Sequence, residues 1–183
     1  MTYGWPALPP GPATPARILA VAGPATADAA LSAGADLIDL EDLGPREVAR
    51  FAARHPGTGF CARSGTAALT RHLPLAARSG AVLVCASAAA ARRSGLPPSR
   101  VVVAAPLTGI AELAEAGFGA LVDADDAGRD GGIHAIVAAA ALACWLGAAI
   151  VRTRHPLAVR RAVDMAASIA GLRPPARAVR GLA

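Results

Sequence analysis

Short apolar runs recur along the chain at intervals of roughly twenty residues, separated by alanine-rich stretches with helical spacing. The runs cover residues 17–22, 35–41, 59–63, 81–87, 101–106, 119–123 and 148–153. Helices are expected over residues 26–33, 45–55, 67–79, 88–94, 108–116, 132–146 and 156–170. Every expected strand is thus followed by an expected helix. Such alternation requires parallel strands joined by right-handed crossovers, as a closed barrel or an open doubly wound sheet. Gly-Ala-Asp at residues 34–36 and Ser-Gly-Ala at 79–81, each just ahead of a strand, fit the helix-to-strand turns of a barrel.

The fold class is therefore α/β, read as a TIM-barrel-like (β/α) barrel. Eight-stranded barrels usually take about 250 residues. A chain of 183 residues implies a trimmed barrel of about seven strand-helix units, with the eighth strand in question. The length suits one domain. Its expected parts are a Pro-rich N-terminal segment at 1–16, the barrel at 17–172 and a basic, Pro-containing tail at 173–183. Hydrophobic residues make up 54% of the chain and aromatics only 3%, so Ala, Val, Leu and Ile must fill the interior. That suits close helices and buried parallel strands.

Missing residue types narrow the chemistry. The chain contains no Lys, no Asn and no Gln. A Schiff-base lysine, a phosphate-loop lysine and a lysine general base are excluded. Cys61, Cys85 and Cys144 are far apart, match no paired-cysteine metal spacing and read as buried thiols. Residues 1–15 hold five prolines but neither a basic n-region nor an apolar core, so no signal peptide is read there and a cytoplasmic location is expected. The apolar stretch 135–151 could be offered as a short membrane span, but Gly147 interrupts it, and helix followed by strand fits better. No membrane partner is expected.

In a barrel, ligands sit at the C-terminal ends of the strands. Those ends carry Asp39, Glu41 and Asp42, then Arg63 and Ser64, then Asp123, Asp125 and Asp126, and finally Arg152, Arg154 and His155. A site grafted on the rim would look like this, and so would a merely solvated rim.

The last third of the chain carries a resemblance. Residues 132–173 read GIHAIVAAAALACWLGAAIVRTRHPLAVRRAVDMAASIAGLR. This frame resembles the C-terminus of the dihydropteroate synthase family, with its Ala-rich helix, Gly-Ala, a strand closing in Val-Arg-x-His and a final helix. AGADLIDLEDLG at 33–44, SGAVLVCAS at 79–87 and GLPPSRVVVAAP at 95–106 are similar to further segments of that family in the same order. The tail MAASIAGLRPPARAVRGLA looks closest to a divergent paralogue within it.

The resemblance implies a pterin site that this sequence lacks. The asparagine expected near residues 21–23 is absent, and the acid expected after the third strand is Arg63. The expected Asn-Asp of the fourth strand is Cys85-Ala86, the expected Asp-Pro-Gly aspartate is Ala104, and the expected catalytic lysine falls within residues 123–126. The family's Arg-x-His anion site becomes Arg152-Thr153-Arg154, which keeps donors for a phosphate or sulfate.

The expected site is accordingly one that takes an anionic ligand. Arg152, Arg154, Arg63, Asp39 and Glu41 are its substrate-binding candidates, with Asp123, Asp125 and His155 as catalytic candidates. Asp123 and Asp126 could hold magnesium beside a bound phosphate. True dihydropteroate synthesis is not expected.

One function is a repurposed enzyme, of transferase or lyase type, acting on a small anionic substrate. The alternative is a non-catalytic paralogue that binds a ligand or serves as a dimer partner, with a homodimer expected through the last two helices. A net charge of +5 raises the nucleic-acid alternative. Arginines spread singly or in pairs, with almost no aromatic side chains for stacking, argue against it.

Overall fold

The computed structural model describes residues 14–23, 25–40, 42–65 and 67–173. Eight parallel strands form a closed barrel in sequence order: β1 (Arg17–Val21), β2 (Leu37–Asp39), β3 (Gly59–Cys61), β4 (Leu69–Thr70), β5 (Val82–Cys85), β6 (Val101–Ala104), β7 (Gly119–Asp123) and β8 (Ile150–Thr153). Pairing of β8 with β1, in the register Ile18 with Val151 and Leu19 with Arg152, completes the ring. The helices are α1 (Ala27–Ser32), α2 (Pro45–Arg54), α3 (Leu73–Ser79), α4 (Ala88–Arg93), α5 (Ile110–Glu115), α6 (Ala124–Ala127), α7 (Gly132–Trp145) and α8 (Pro156–Ile169).

Period-two alternation on each strand separates two cores. Leu19, Leu37, Cys61, Leu69, Val84, Val102, Leu121 and Ile150 pack together inside the barrel. Their strand neighbours, among them Ile18, Val101, Val103, Val122 and Val151, meet α3 to α8 outside it. Ala20, Ile38 and Phe60 meet Val48 and Phe51 of α2. Alanine sets the fit where helices meet. Ala139, Ala140 and Ala143 of α7 and Ala162, Ala166 and Ala167 of α8 are buried. A Cβ on Gly128, between α6 and α7, would fall 2.3 Å from the backbone nitrogen of Ile136.

The barrel class stands as the sequence implies, the ring is closed where the sequence left closure open, and the count of seven units is corrected to eight strands. The expected helix at 67–79 contains the missing strand β4 and begins only at Leu73, with Pro74 in its first turn. The rule that every strand is followed by a helix also fails once. β3 runs into β4 through residues 62–68 without a helix among the described residues. The expected Pro-rich segment and tail lie outside the described residues, apart from residues 14–16 and Arg173. No helix among the described residues is long and apolar enough to cross a membrane.

Candidate functional site

Parallel register decides which side chains meet at the C-terminal mouth. Asp123 of β7 lies beside Arg152 of β8, and Val21 of β1 beside Asp39 of β2. Arg152 therefore reaches an acid on each flank. Its Nε donates to Asp39 Oδ2 at 2.8 Å and its Nη1 to Asp123 Oδ2 at 2.6 Å. Asp39 is 5% exposed and Arg152 28%. Burial would lower the Arg152 pKa, but hydrogen bonds and charge from Asp39 and Asp123 outweigh it and raise the pKa, so the guanidinium stays charged. The other Asp123 oxygen accepts the Asp126 amide at 3.1 Å and caps α6. Asp126 itself pairs with exposed Arg129.

A second network lies on the outward side of β8. Thr153, fully buried, donates its hydroxyl to Asp125 Oδ1 at 2.7 Å. The Arg154 amide and Nε donate to the other oxygen at 3.0 and 2.8 Å. Burial pushes the Asp125 carboxyl up, but the hydrogen bonds from Arg154 and Thr153 outweigh it and hold its pKa below the ordinary carboxylate value. The Thr153 hydroxyl in turn accepts the His155 amide at 2.9 Å. His155 is the exposed N-cap residue of α8.

Two clefts that share Arg71 and Ala104 open over the strand ends. The larger, of about 650 Å³, runs along the β6 and β7 loops and is lined by Pro106, Leu107, Thr108, Asp123, Asp126 and Arg152 among others. The smaller, of about 510 Å³, lies over β5 and between α3 and α4, with Leu73, Val84, Ala86, Ala90 and Arg93 in its wall.

Of the residues expected to form a site, the structure brings Asp39, Asp123 and Arg152 together as one ion-pair network and Asp125 and Arg154 as another. Asp123, Asp126 and Arg152 line the larger cleft, whereas Asp125, Arg154 and His155 line neither. Arg63 is exposed on the loop after β3 and lines neither cleft. Glu41 lies outside the described residues. Magnesium at Asp123 and Asp126 would have to displace Arg152 and Arg129, and no group of three or more His, Cys, Asp or Glu among the described residues is arranged to hold a metal.

Sequence reasoning missed Arg71 and Arg93, which line the clefts. Arg71 falls inside the helix that the sequence predicts at 67–79. The overlooked signal is Pro74, which belongs in a first helical turn and leaves the preceding residues outside the helix.

Proteins called inactive dihydropteroate synthase 2 from Mycobacterium bovis and Mycobacterium tuberculosis are 33% identical over 195 residues, covering 86% of this chain and 59% of theirs. The chain thus spans about three fifths of the length of these curated relatives. No family model matches. Among solved structures, that of Mycobacterium tuberculosis Rv1207 superposes with a TM-score of 0.69 at 24% identity, over 88% of this chain and 94% of the other. The Yersinia pestis dihydropteroate synthase superposes with a TM-score of 0.69 at 16% identity, over 87% and 94%.

Two predictions follow from the networks. Arg152→Met should destabilise the protein by about 3 kcal/mol, because it strands a buried acid, and Asp39→Asn in that background should recover part of the loss. Urea unfolding of the double-mutant cycle measures both. Asp125 has a depressed folded pKa, so its stabilisation is complete above the ordinary aspartate range near pH 3.9 and is lost as pH falls through the folded value. Asp125→Asn should therefore cost about 1–3 kcal/mol at neutral pH and remove that share of the acid loss, as read from unfolding curves across acid pH.

Proposed function

We propose that this chain, a divergent member of the dihydropteroate synthase family, binds a small anionic ligand at the C-terminal mouth of its barrel and does not carry out pterin transfer. One observation carries the reading. The charged side chains that the sequence offers as catalytic, Asp123 and Asp125, are held by Arg152, Arg154 and Thr153, while clefts remain open beside them with Arg71 and Arg93 in their walls. A carboxylate whose oxygens are engaged by protein donors is poorly placed to take a proton from a substrate, so neither acid reads as a general base. His155 could act only from outside both clefts. The repurposed-enzyme reading therefore ranks below binding without turnover.

The pterin side of the family's chemistry is disfavoured for a separate reason. Of the positions at which the family resemblance expects polar pterin contacts, Cys85, Ala86 and Ala104 line the smaller cleft, whereas residues 21–23 and Arg63 line neither cleft. A pterin ring seated there would find no carboxylate or amide side chain at these three positions for its polar edge, a loss that sites of this kind reject strongly. The relatives called inactive dihydropteroate synthase 2 are in keeping with this.

Calorimetric titration tests the reading. Inorganic pyrophosphate should bind, a pterin pyrophosphate should bind no tighter, and magnesium should leave both titrations unchanged. No dihydropteroate should form when p-aminobenzoate is added. Affinity gained from the pterin, or any turnover, overturns the proposal, as does the absence of all anion binding.

A second reading, pairing of two copies through α7 and α8, is favoured by the distribution of exposed apolar side chains. Apart from Leu73, the large exposed hydrophobics among the described residues lie on these two helices or at the cap of α7. They include Leu142, Trp145, Met165 and Ile169, all more than half exposed. Such a patch on a chain this small marks an interface. The α7 sequence holds no Asp, Glu or Arg, so a twofold copy brings no like charges together across it. Light scattering after gel filtration should give a dimer for the wild type and a monomer for Trp145→Glu. A monomeric wild type refutes the pairing.

A further inference from the structure

Helix α2 carries charge that its surroundings do not offset. Arg129, Arg152, Arg154, Arg160 and Arg173 each pair with an aspartate. Arg46, Arg50 and Arg54 recur at every fourth residue of α2, are exposed, and make no hydrogen bond or ion pair among the described residues. Glu47 is the one acid of this helix, and its carboxylate accepts the Gly44 amide at 3.1 Å. Like charges four residues apart on a helix destabilise it, so an acid set against the stripe would relieve a repulsion built into α2.

Two further features belong to the same helix. Val48 and Phe51 are buried against the barrel, whereas Ala49 and Ala53 are exposed beside the arginines and present no bulk to whatever lies over them. A cavity of about 520 Å³ borders this face, lined among the described residues by Glu47, Arg50, Ala53 and Arg54. The outer layer is also thin on this flank. β3 passes to β4 without a helix among the described residues, so α2 lacks the neighbour that a helix in that connection would give it.

We propose that the outward face of α2 docks an acidic amphipathic helix of a partner protein, with carboxylates at every fourth residue against Arg46, Arg50 and Arg54 and small side chains over Ala49 and Ala53. Successive arginines lie about 6 Å apart along the axis, a repeat that a second helix lying alongside reproduces. Side chains as small as alanine let two helix axes approach closely. A net charge of +5 draws an acidic partner in and opposes a second copy of this chain, whose own α2 would bring the same stripe. Nucleic acid is disfavoured, because α2 exposes no aromatic side chain for stacking. None of these residues lines the clefts at the barrel mouth, and the proposal does not rest on the reading of that site.

The experiment uses the whole chain and, as probe, an acetylated and amidated Ala-Leu helical peptide with Glu at every fourth position, beside the same peptide with Gln for Glu. Fluorescence anisotropy should show the Glu peptide binding at least about tenfold more tightly than the Gln peptide, with the margin shrinking as ionic strength rises. Arg50→Glu should weaken the Glu peptide by at least about tenfold and keep the wild-type melting curve, since Arg50 has no partner among the described residues to lose. A third peptide, with Lys for Glu, should bind that variant better than it binds the wild type. Amide shift mapping on the wild type needs no variant: the Glu peptide should move residues 46–54 and leave residues 152–155 and α7 in place.

Equal binding of the Glu and Gln peptides, or shifts centred away from α2, would overturn the proposal. Single-stranded RNA that binds α2 more tightly than the Glu peptide would overturn it in favour of a nucleic acid. Self-association lost in Arg50→Glu and kept in Trp145→Glu would overturn it in favour of a second copy of the chain.

Discussion

Arg152 is the side chain on which the barrel mouth depends. Closure of a parallel barrel brings the ends of β2, β7 and β8 together around one rim, and here two of those ends point an aspartate inward. Asp39 is almost wholly buried, and two carboxylates in such a place destabilise each other and the fold unless a cation lies between them. Arg152 supplies it, with Nε to one acid and Nη1 to the other. The strands are short, only three residues in β2 and β3 and two in β4, so few apolar layers fill the interior. The ion-pair network caps them and does with charge what another ring of Leu and Val would do by packing.

That constraint divides the mouth in two. On the side of β7, β8 and β2 the polar side chains satisfy one another, and Asp125 with Thr153 and Arg154 extends the same self-sufficiency to the outer side of β8. On the side of β4 to β6 the strand ends carry small residues, Ala86 and Ala104 among them, and the smaller cleft opens there, while the larger one reaches across to Asp123 and Arg152. The residues most conspicuous in the sequence, the acidic run at 123–126 and the basic run at 152–155, are chiefly engaged with one another, and only Asp123, Asp126 and Arg152 among them also line a cleft.

The strands and helices with clear periodicity were legible in the sequence, because alternation of apolar runs with Ala-rich stretches leaves few topologies. β4 was not, since its two residues sit between alanines and an Arg-His pair and offer no period to detect. Only Pro74 marked the true helix start. The rim residues were legible as types and illegible as partners. Asp39 and Arg152 lie 113 residues apart, and nothing along the chain says that register will set them within hydrogen-bond reach. For the same reason Arg71 and Arg93 could not be joined into one wall, because that requires knowing that β4 and β5 are neighbours.

How 183 residues close an eight-stranded barrel is answered at the β3–β4 junction. Parallel neighbours are normally linked by a dozen or more residues with a helix between them, and here residues 62–68 suffice. The Ala62 amide donates to Leu69 O at 3.1 Å and the Ala68 amide to Phe60 O at 2.9 Å, so the connection itself continues the ladder. On its other side β4 pairs with β5 through Leu69 and Val82, while Phe60 of β3 is covered from outside by Phe51 of α2. Closure needs every strand to find two neighbours, and it does not need every strand to own a helix. A chain can shed outer wall before it sheds a strand, and for that reason length alone was a weak argument against the eighth strand.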